Sequence, residues 1–140
     1  MAQFPPMLET ILVVEDDPLV LGFLTSCLTH AAFRVLSAGS PEEARRIEGD
    51  HAGPIHLLLS DVIMRHTCGP NLANELKARR PEMRVIMISG RPDDIRILQY
   101  TGRFLKKPFL AGELLNTVKD ALCDKLHARA NCSEASGASR

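Results

Sequence analysis

A doubly wound α/β domain on five parallel strands is the fold class this chain predicts, and three observations predict it. Apolar runs alternate with helix-period patterns along the chain. The strongest runs, Ile11-Leu12-Val13-Val14, Ile55 to Leu59 and Val85-Ile86-Met87-Ile88, are continuous and aliphatic rather than alternating, as burial on both faces of a parallel sheet requires. Glu15, Asp16, Asp61, Ser89 and Lys107 each stand at the carboxyl end of an apolar run, strong or weak, and a parallel sheet gathers those ends along one edge.

The elements follow in order. After the first strand, Asp17-Pro18 reads as an N-cap with proline at the first helical position, and Leu19, Phe23 and Cys27 with Leu24 and Leu28 recur at helix spacing. Arg34-Val35-Leu36-Ser37-Ala38 is a weaker second strand, and Ser40-Pro41-Glu42-Glu43 starts a second helix with acids in its first turn. The third strand leads to a helix carrying Leu72 and Leu76, which Arg79-Arg80-Pro81 ends with cations near its C-terminus. The fourth strand, a fourth helix, a weaker strand at Arg103-Phe104-Leu105 and a last helix through Leu114, Leu115, Val118 and Leu122 complete the series. Strict βα alternation implies right-handed crossovers, with helices on both sides of the sheet.

At 140 residues the chain suits one domain that buries roughly two-thirds of its unfolded surface. We divide it into a leader at 1–8, a folded domain at 9–127 and a flexible tail at 128–140, where small, polar residues predominate. Seventeen acidic and 17 basic side chains cancel, so nothing favours binding to nucleic acid. Without a basic leader, an apolar signal segment or a membrane-length run, the expected location is cytoplasmic, with no membrane association. Cys27, Cys68, Cys123 and Cys132 form no CxxC pair and read as reduced thiols, and His30, His51, His56, His66 and His127 read as surface residues at loops and helix ends.

The strand ends carry the chemistry. Glu15, Asp16 and Asp61 should converge, and a cluster of carboxylates either raises a pKa or recruits a hard cation, for which Mg²⁺ suits best. An acidic dipeptide alone would be a solvated turn, and Asp17 keeps that reading as the helix cap. Asp61, led out of the most hydrophobic strand by Leu57-Leu58-Leu59-Ser60, can act as a nucleophile toward a phosphoryl group when a cation shields the incoming charge. Lys107 supplies an ammonium and Ser89 a neutral donor for the phosphoryl oxygens, while Lys106 points to the other face by strand alternation.

Four motifs, Ile11 to Pro18, Leu58-Leu59-Ser60-Asp61-Val62-Ile63-Met64 with Gly69, Val85 to Gly90 and Phe104-Leu105-Lys106-Lys107-Pro108-Phe109, together resemble the receiver domain of two-component response regulators over roughly residues 9 to 125. The resemblance implies the CheY-like, flavodoxin-like strand order 2-1-3-4-5, with five helices. It implies that Asp61 is the phosphoacceptor, that Glu15, Asp16, Asp61 and the Ile63 backbone carbonyl bind Mg²⁺, and that Lys107, Ser89 and Phe104 form the phosphoryl-stabilising and switch group. It also implies a cis Lys107-Pro108 peptide. The expected donor is a sensor histidine kinase or a histidine phosphotransfer protein, and the expected output is altered binding of an unidentified protein target. The chain should be a monomer or a weak phosphorylation-dependent dimer, and not an enzyme beyond slow self-phosphorylation and autodephosphorylation. Met87 to Gly90 and Phe104 to Phe109 are similar to receivers attached to hybrid sensor kinases.

Three departures bear on this. Arg65 stands where the family usually has proline, Cys68 replaces a residue that is often acidic or small, and only 17 residues separate Ser89 from Lys107, which predicts a short fourth helix and an altered output face. Two rivals remain at this level. One is a phosphorylation-independent interaction module. The other is a haloacid dehalogenase-type phosphohydrolase, but this would need a second acid two residues after Asp61, where Ile63 stands. Nucleotide-binding folds are excluded by the lack of GxGxxG or GxxxxGK after any strand.

Overall fold

The computed structural model describes residues 8–64, 67–90 and 103–135, with 67–70 and 124–135 described as backbone alone. The elements are β1 (Thr10–Val14), α1 (Pro18–His30), β2 (Arg34–Ala38), α2 (Pro41–Asp50), β3 (Leu57–Asp61), a two-residue pair β4 (Ile63–Met64) and β5 (Thr67–Cys68), α3 (Gly69–Arg79), β6 (Arg84–Ser89), β7 (Arg103–Lys106) and α4 (Ala111–Ala135). The five long strands form one parallel sheet in the order β2-β1-β3-β6-β7. With the small hairpin left out of the count, this is the expected order 2-1-3-4-5. The helix expected between Ser89 and Arg103 lies outside the described residues.

Burial explains which strands read strongly in the sequence. β1 and β3 lie inside the sheet and are buried along their whole length. Leu12, Val14, Leu58 and Met87 pack on one face against α2 and α3, while Ile11, Val13, Leu57, Leu59, Ile86 and Ile88 pack on the other against α1 and α4. β2 and β7 are the edges, each partly exposed, which is why charged and polar residues interrupt their runs.

The structure corrects several boundaries. β3 begins at Leu57 rather than Ile55 and includes Asp61, so the aspartate is the last strand residue. The His56 ring is more than a surface group: its Nδ1 accepts the Thr10 N–H at 2.9 Å beside the first residue of β1. On α1 the inward residues are Leu24 and Leu28, whereas Leu19 and Phe23 from the same apolar pattern face outward. The backbone of α4 stays helical to Ala135, past the boundary expected at 127. Ala128, Ala130 and Ala135 favour helix, and no glycine or proline interrupts before Gly137.

The caps behave as anticipated. Asp17 Oδ1 accepts the Leu19 N–H at 3.0 Å, and Ser40 Oγ accepts the Glu43 N–H at 3.1 Å. The Arg79-Arg80 pair does more than finish its own helix. Arg80 donates to buried Glu48 Oε2 at 2.9 Å and to the carbonyls of Glu48, His51 and Gly53 at 3.2, 2.9 and 2.7 Å, so it closes the open end of α2. Burial alone would raise the Glu48 carboxyl, but its bonds to Arg79 and Arg80 outweigh this and hold it below its ordinary value.

The C-terminus of α1 contains a strained position. Phe33 N–H donates to Leu28 O at 3.1 Å across a turn in which Ala32 adopts φ 72°, a left-handed conformation usually held by glycine. We predict that Ala32→Gly stabilises the domain by about 0.5–1 kcal/mol. Urea unfolding of both proteins checks this, and an unchanged or lower midpoint would show that the turn carries no strain.

Candidate functional site

The register of the sheet brings the predicted residues together. Val14 ends β1, Asp61 ends β3 and Ser89 ends β6, and Ser60 and Asp61 pair with Met87 and Ile88. Glu15 follows β1 directly and is tied to β2 by its N–H, which donates to Ala38 O at 3.1 Å. Lys107 follows β7 and is fixed to β6 by a 2.7 Å bond from its N–H to Ser89 O. The Lys107–Pro108 peptide is cis, as expected.

Carboxylate oxygens of Glu15, Asp16 and Asp61 lie within 4.8 Å of one another, although Asp61 is 45 or more positions away in sequence. Among the described residues this is the one group of acids, histidines or cysteines close enough to share a metal ion. The Lys107 ammonium reaches into it, with Nζ 3.2 Å from Asp61 Oδ2 and 3.4 Å from Glu15 Oε1. The second Glu15 oxygen accepts the Asp17 N–H at 3.1 Å, and Ile63 N–H approaches Asp61 Oδ1 at 3.4 Å. All the donors are hard oxygens and one ammonium faces three carboxylates, leaving negative charge uncompensated, so the residues fit a hard divalent cation.

Electrostatics follow from this crowding. Burial, and then the facing charge of Asp61, push the Glu15 carboxyl up to about 7, against the opposing pull of the Asp17 N–H and Lys107. Burial alone would lower the Lys107 ammonium, but Asp61 and Glu15 outweigh it and hold it above its ordinary value. Glu15 is 1% exposed and Ser89 2%, so both are buried where their strands end.

The remaining predicted residues divide. Lys106 is exposed, as strand alternation requires. Phe104 is 41% exposed and is therefore not a core aromatic. Ile63 lies in β4, where it pairs with Cys68, so the loop after Asp61 is a short hairpin that no turn motif announces. Arg65, the Cys68 side chain and most of the short segment between Ser89 and Lys107 lie outside the described residues. Cys27 and Cys123 are free thiols.

Residues 11–119 match the family described as the response regulator receiver domain. The chain is 34% identical over 117 residues to the sensor kinase CckA of Brucella abortus, covering 81% of this chain and 12% of that protein. It is 33% identical over 141 residues to the transcriptional regulatory protein AruR of Pseudomonas aeruginosa, covering 96% of this chain and 57% of the other. The chain thus spans less than two thirds of either relative. Among solved structures, the receiver domain of the hybrid histidine kinase CckA superposes with a TM-score of 0.70 at 34% identity, covering 81% of this chain and 98% of that one. A response regulator receiver domain protein of Clostridium thermocellum gives 0.75 at 27% identity, covering 86% and 99%.

The position of Glu15 sets a pH dependence. A proton held up to about pH 7 competes with any cation for the same carboxylate, so divalent-cation affinity should rise with pH up to about 7 and level off above it. Without cation the sign is reversed for stability. The folded state keeps a proton that the unfolded chain releases near 4.5, so Glu15 costs stability as pH rises from there to about 7. Calorimetric titration in buffers of different ionisation enthalpy should show up to one proton released per cation below pH 7. An affinity that does not change across this range would remove Glu15 from the cluster.

Proposed function

The chain belongs to the response regulator receiver family, and from that premise we propose that Asp61 is its phosphoacceptor, charged by a phosphohistidine on a sensor histidine kinase or histidine phosphotransfer protein. The single observation that carries this reading is the Lys107 ammonium bridging Asp61 Oδ2 and Glu15 Oε1, at 3.2 and 3.4 Å. On this reading a positive charge stands beside the oxygen that attacks, where phosphoryl charge must be accommodated.

In the proposed reaction an Asp61 carboxylate oxygen bonds to phosphorus as the bond from phosphorus to the histidine nitrogen breaks, leaving the donor imidazole to take up a proton. Glu15, Asp16, Asp61 and the Ile63 carbonyl would hold Mg²⁺, which when bound supplies positive charge against the phosphoryl oxygens. Lys107 pairs with one of those oxygens and exchanges its contact with Asp61 for one with the phosphoryl group. Ser89, buried at the end of β6, donates to another oxygen. Its movement opens the space into which Phe104, now outward on β7, turns. A local charge event thereby repacks the surface beside β7 and changes affinity for a protein target.

Acetyl phosphate tests this without a partner. With Mg²⁺, the wild type should acquire one phosphoryl group, seen by intact-mass measurement, and Asp61→Asn should not. Rapid phosphate release without an adduct would indicate a hydrolase instead, and neither adduct nor release a passive interaction module.

Lys107→Ala separates binding from response. Cation affinity should change less than about threefold, because the carboxylate oxygens remain, while the phosphorylation-dependent change at Phe104, followed by ¹⁹F resonance of a fluorinated phenylalanine, should be lost. An unaltered ¹⁹F response would remove Lys107 from the switch.

A further inference from the structure

Besides Asp61, β3 contains one polar residue, Ser60, and the reaction described above leaves it without a task. It is 0% exposed, and the residues paired with it, Val14 on β1 and Met87 on β6, are equally buried and apolar. By strand alternation it shares the face of Leu58, which packs toward α2 and α3, rather than the face of Asp61. A hydroxyl in such surroundings is costly unless it is bonded, and alanine or valine would fill the position without that cost. The bond that Ser60 makes therefore carries information about its role.

Ser60 Oγ donates to the backbone carbonyl of Asp61 at 3.0 Å. That carbonyl shares a rigid peptide plane with the Val62 N–H, which donates to Ile88 O at 2.9 Å. The plane that follows Asp61 is thus pinned from both sides, by β6 through its N–H and by Ser60 through its C=O. Strand β1 does not hold it, because the pairing of β1 with β3 ends at Val14 and Ser60. Beyond that pair, Glu15 directs its N–H to Ala38 O on β2. The hydroxyl replaces a ladder partner where the ladder runs out. The same plane also begins the turn toward Ile63, whose N–H approaches Asp61 Oδ1 at 3.4 Å.

We propose that Ser60 is a positioning residue for phosphoryl transfer: by holding the Asp61 carbonyl it fixes the Asp61–Val62 plane, and with it the aim of the Asp61 carboxylate. The inference rests on the phosphoacceptor reading of Asp61 and adds a residue that acts through it from the opposite face of the strand. The contacts of the carboxylate show how little tolerance there is. Oδ2 lies 3.2 Å from Lys107 Nζ and Oδ1 lies 3.4 Å from the Ile63 nitrogen, both near the outer limit of a hydrogen bond. A small rotation of the plane takes one or both out of range. Misalignment of this kind slows attack on phosphorus while leaving in place Lys107 and the other groups that hold the phosphodonor.

The test compares the full wild-type chain with Ser60→Thr, Ser60→Ala and Ser60→Val. Threonine and valine have nearly the same shape and differ in the hydroxyl, as serine and alanine do, so packing and hydrogen bonding are separated at two sizes. Labelling by acetyl phosphate with Mg²⁺ is followed by intact mass, well below every thermal midpoint. Wild type and Ser60→Thr should reach maximal rates within about threefold of each other, while Ser60→Ala and Ser60→Val should fall about tenfold. The half-saturating acetyl phosphate concentration should stay within about twofold throughout. Hydrogen exchange of the Val62 amide should quicken about tenfold in Ser60→Ala and Ser60→Val and remain as in the wild type in Ser60→Thr. Maximal rates in Ser60→Ala and Ser60→Val within about twofold of the wild type overturn the proposal. An equal loss in Ser60→Thr, or a change confined to half-saturation, overturns it too. A wild type that takes no label would remove the phosphoacceptor reading of Asp61 itself, whereas a labelled wild type with unaffected variants removes the role of Ser60 alone.

Discussion

Three carboxylates gathered at the carboxyl edge of a parallel sheet cannot all be ionised in the absence of positive charge, and the Lys107 ammonium between Asp61 and Glu15 makes the arrangement tenable. Its effect is incomplete, since one ammonium faces three acids and Glu15 still rises to about 7. The remaining deficit of positive charge is what prepares the cluster for a hard cation. The rest of the domain can be understood as the scaffold that holds this imbalance in place.

That scaffold works because the residues come from separate strands and the register is fixed. Glu15 and Asp61 extend β1 and β3, which lie inside the sheet and are buried on both faces. Slippage by one residue would turn Leu57 and Leu59 toward the α2–α3 layer and Leu58 toward the α1–α4 layer, exchanging the two cores. Lys107 comes from beyond an edge strand, where side-chain packing is weaker. Its backbone is held instead by the 2.7 Å bond to Ser89 O. The hydroxyl-bearing residue and the ammonium-bearing residue are thus mechanically linked before any ligand arrives.

Much of this was legible in the sequence, for a physical reason. Glu15, Asp16, Asp61 and Ser89 follow strongly apolar segments and Lys107 a weaker one, so they announced themselves by position, while alternation and handedness gave the doubly wound class and the resemblance its strand order. What escaped depends on contacts between distant segments. Arg80 read as the end of its own helix, because nothing local shows that its guanidinium closes α2 through Glu48, His51 and Gly53. His56 read as surface, because accepting a backbone N–H from Thr10 requires β1 and β3 to be side by side. The start of β3 was misplaced for a similar reason. Ile55 is as apolar and as buried as a strand residue, yet it precedes the segment that pairs with β1. Leu19 and Phe23 fitted the helix period as well as Leu24 and Leu28, and periodicity alone does not say which side of an all-apolar helix faces the sheet.

A formal charge of zero also conceals how the charges are distributed. One helical layer, α2 with α3, is cross-linked by Arg45 to Glu75 and by Arg79 and Arg80 to Glu48. The opposite layer begins with a helix that has no Asp, Glu, Lys or Arg. Polar clamps hold α2 and α3 to each other, so that layer is completed internally. The α1 surface has no such completion in the described contacts of Leu19, and it adjoins the same edge of the sheet as the acidic cluster. Neutrality overall is therefore compatible with an asymmetric surface, and the asymmetry is aligned with the site: the ion-paired α2–α3 layer stabilises the scaffold, while α1, which has no Asp, Glu, Lys or Arg, adjoins the sheet edge that carries Asp61.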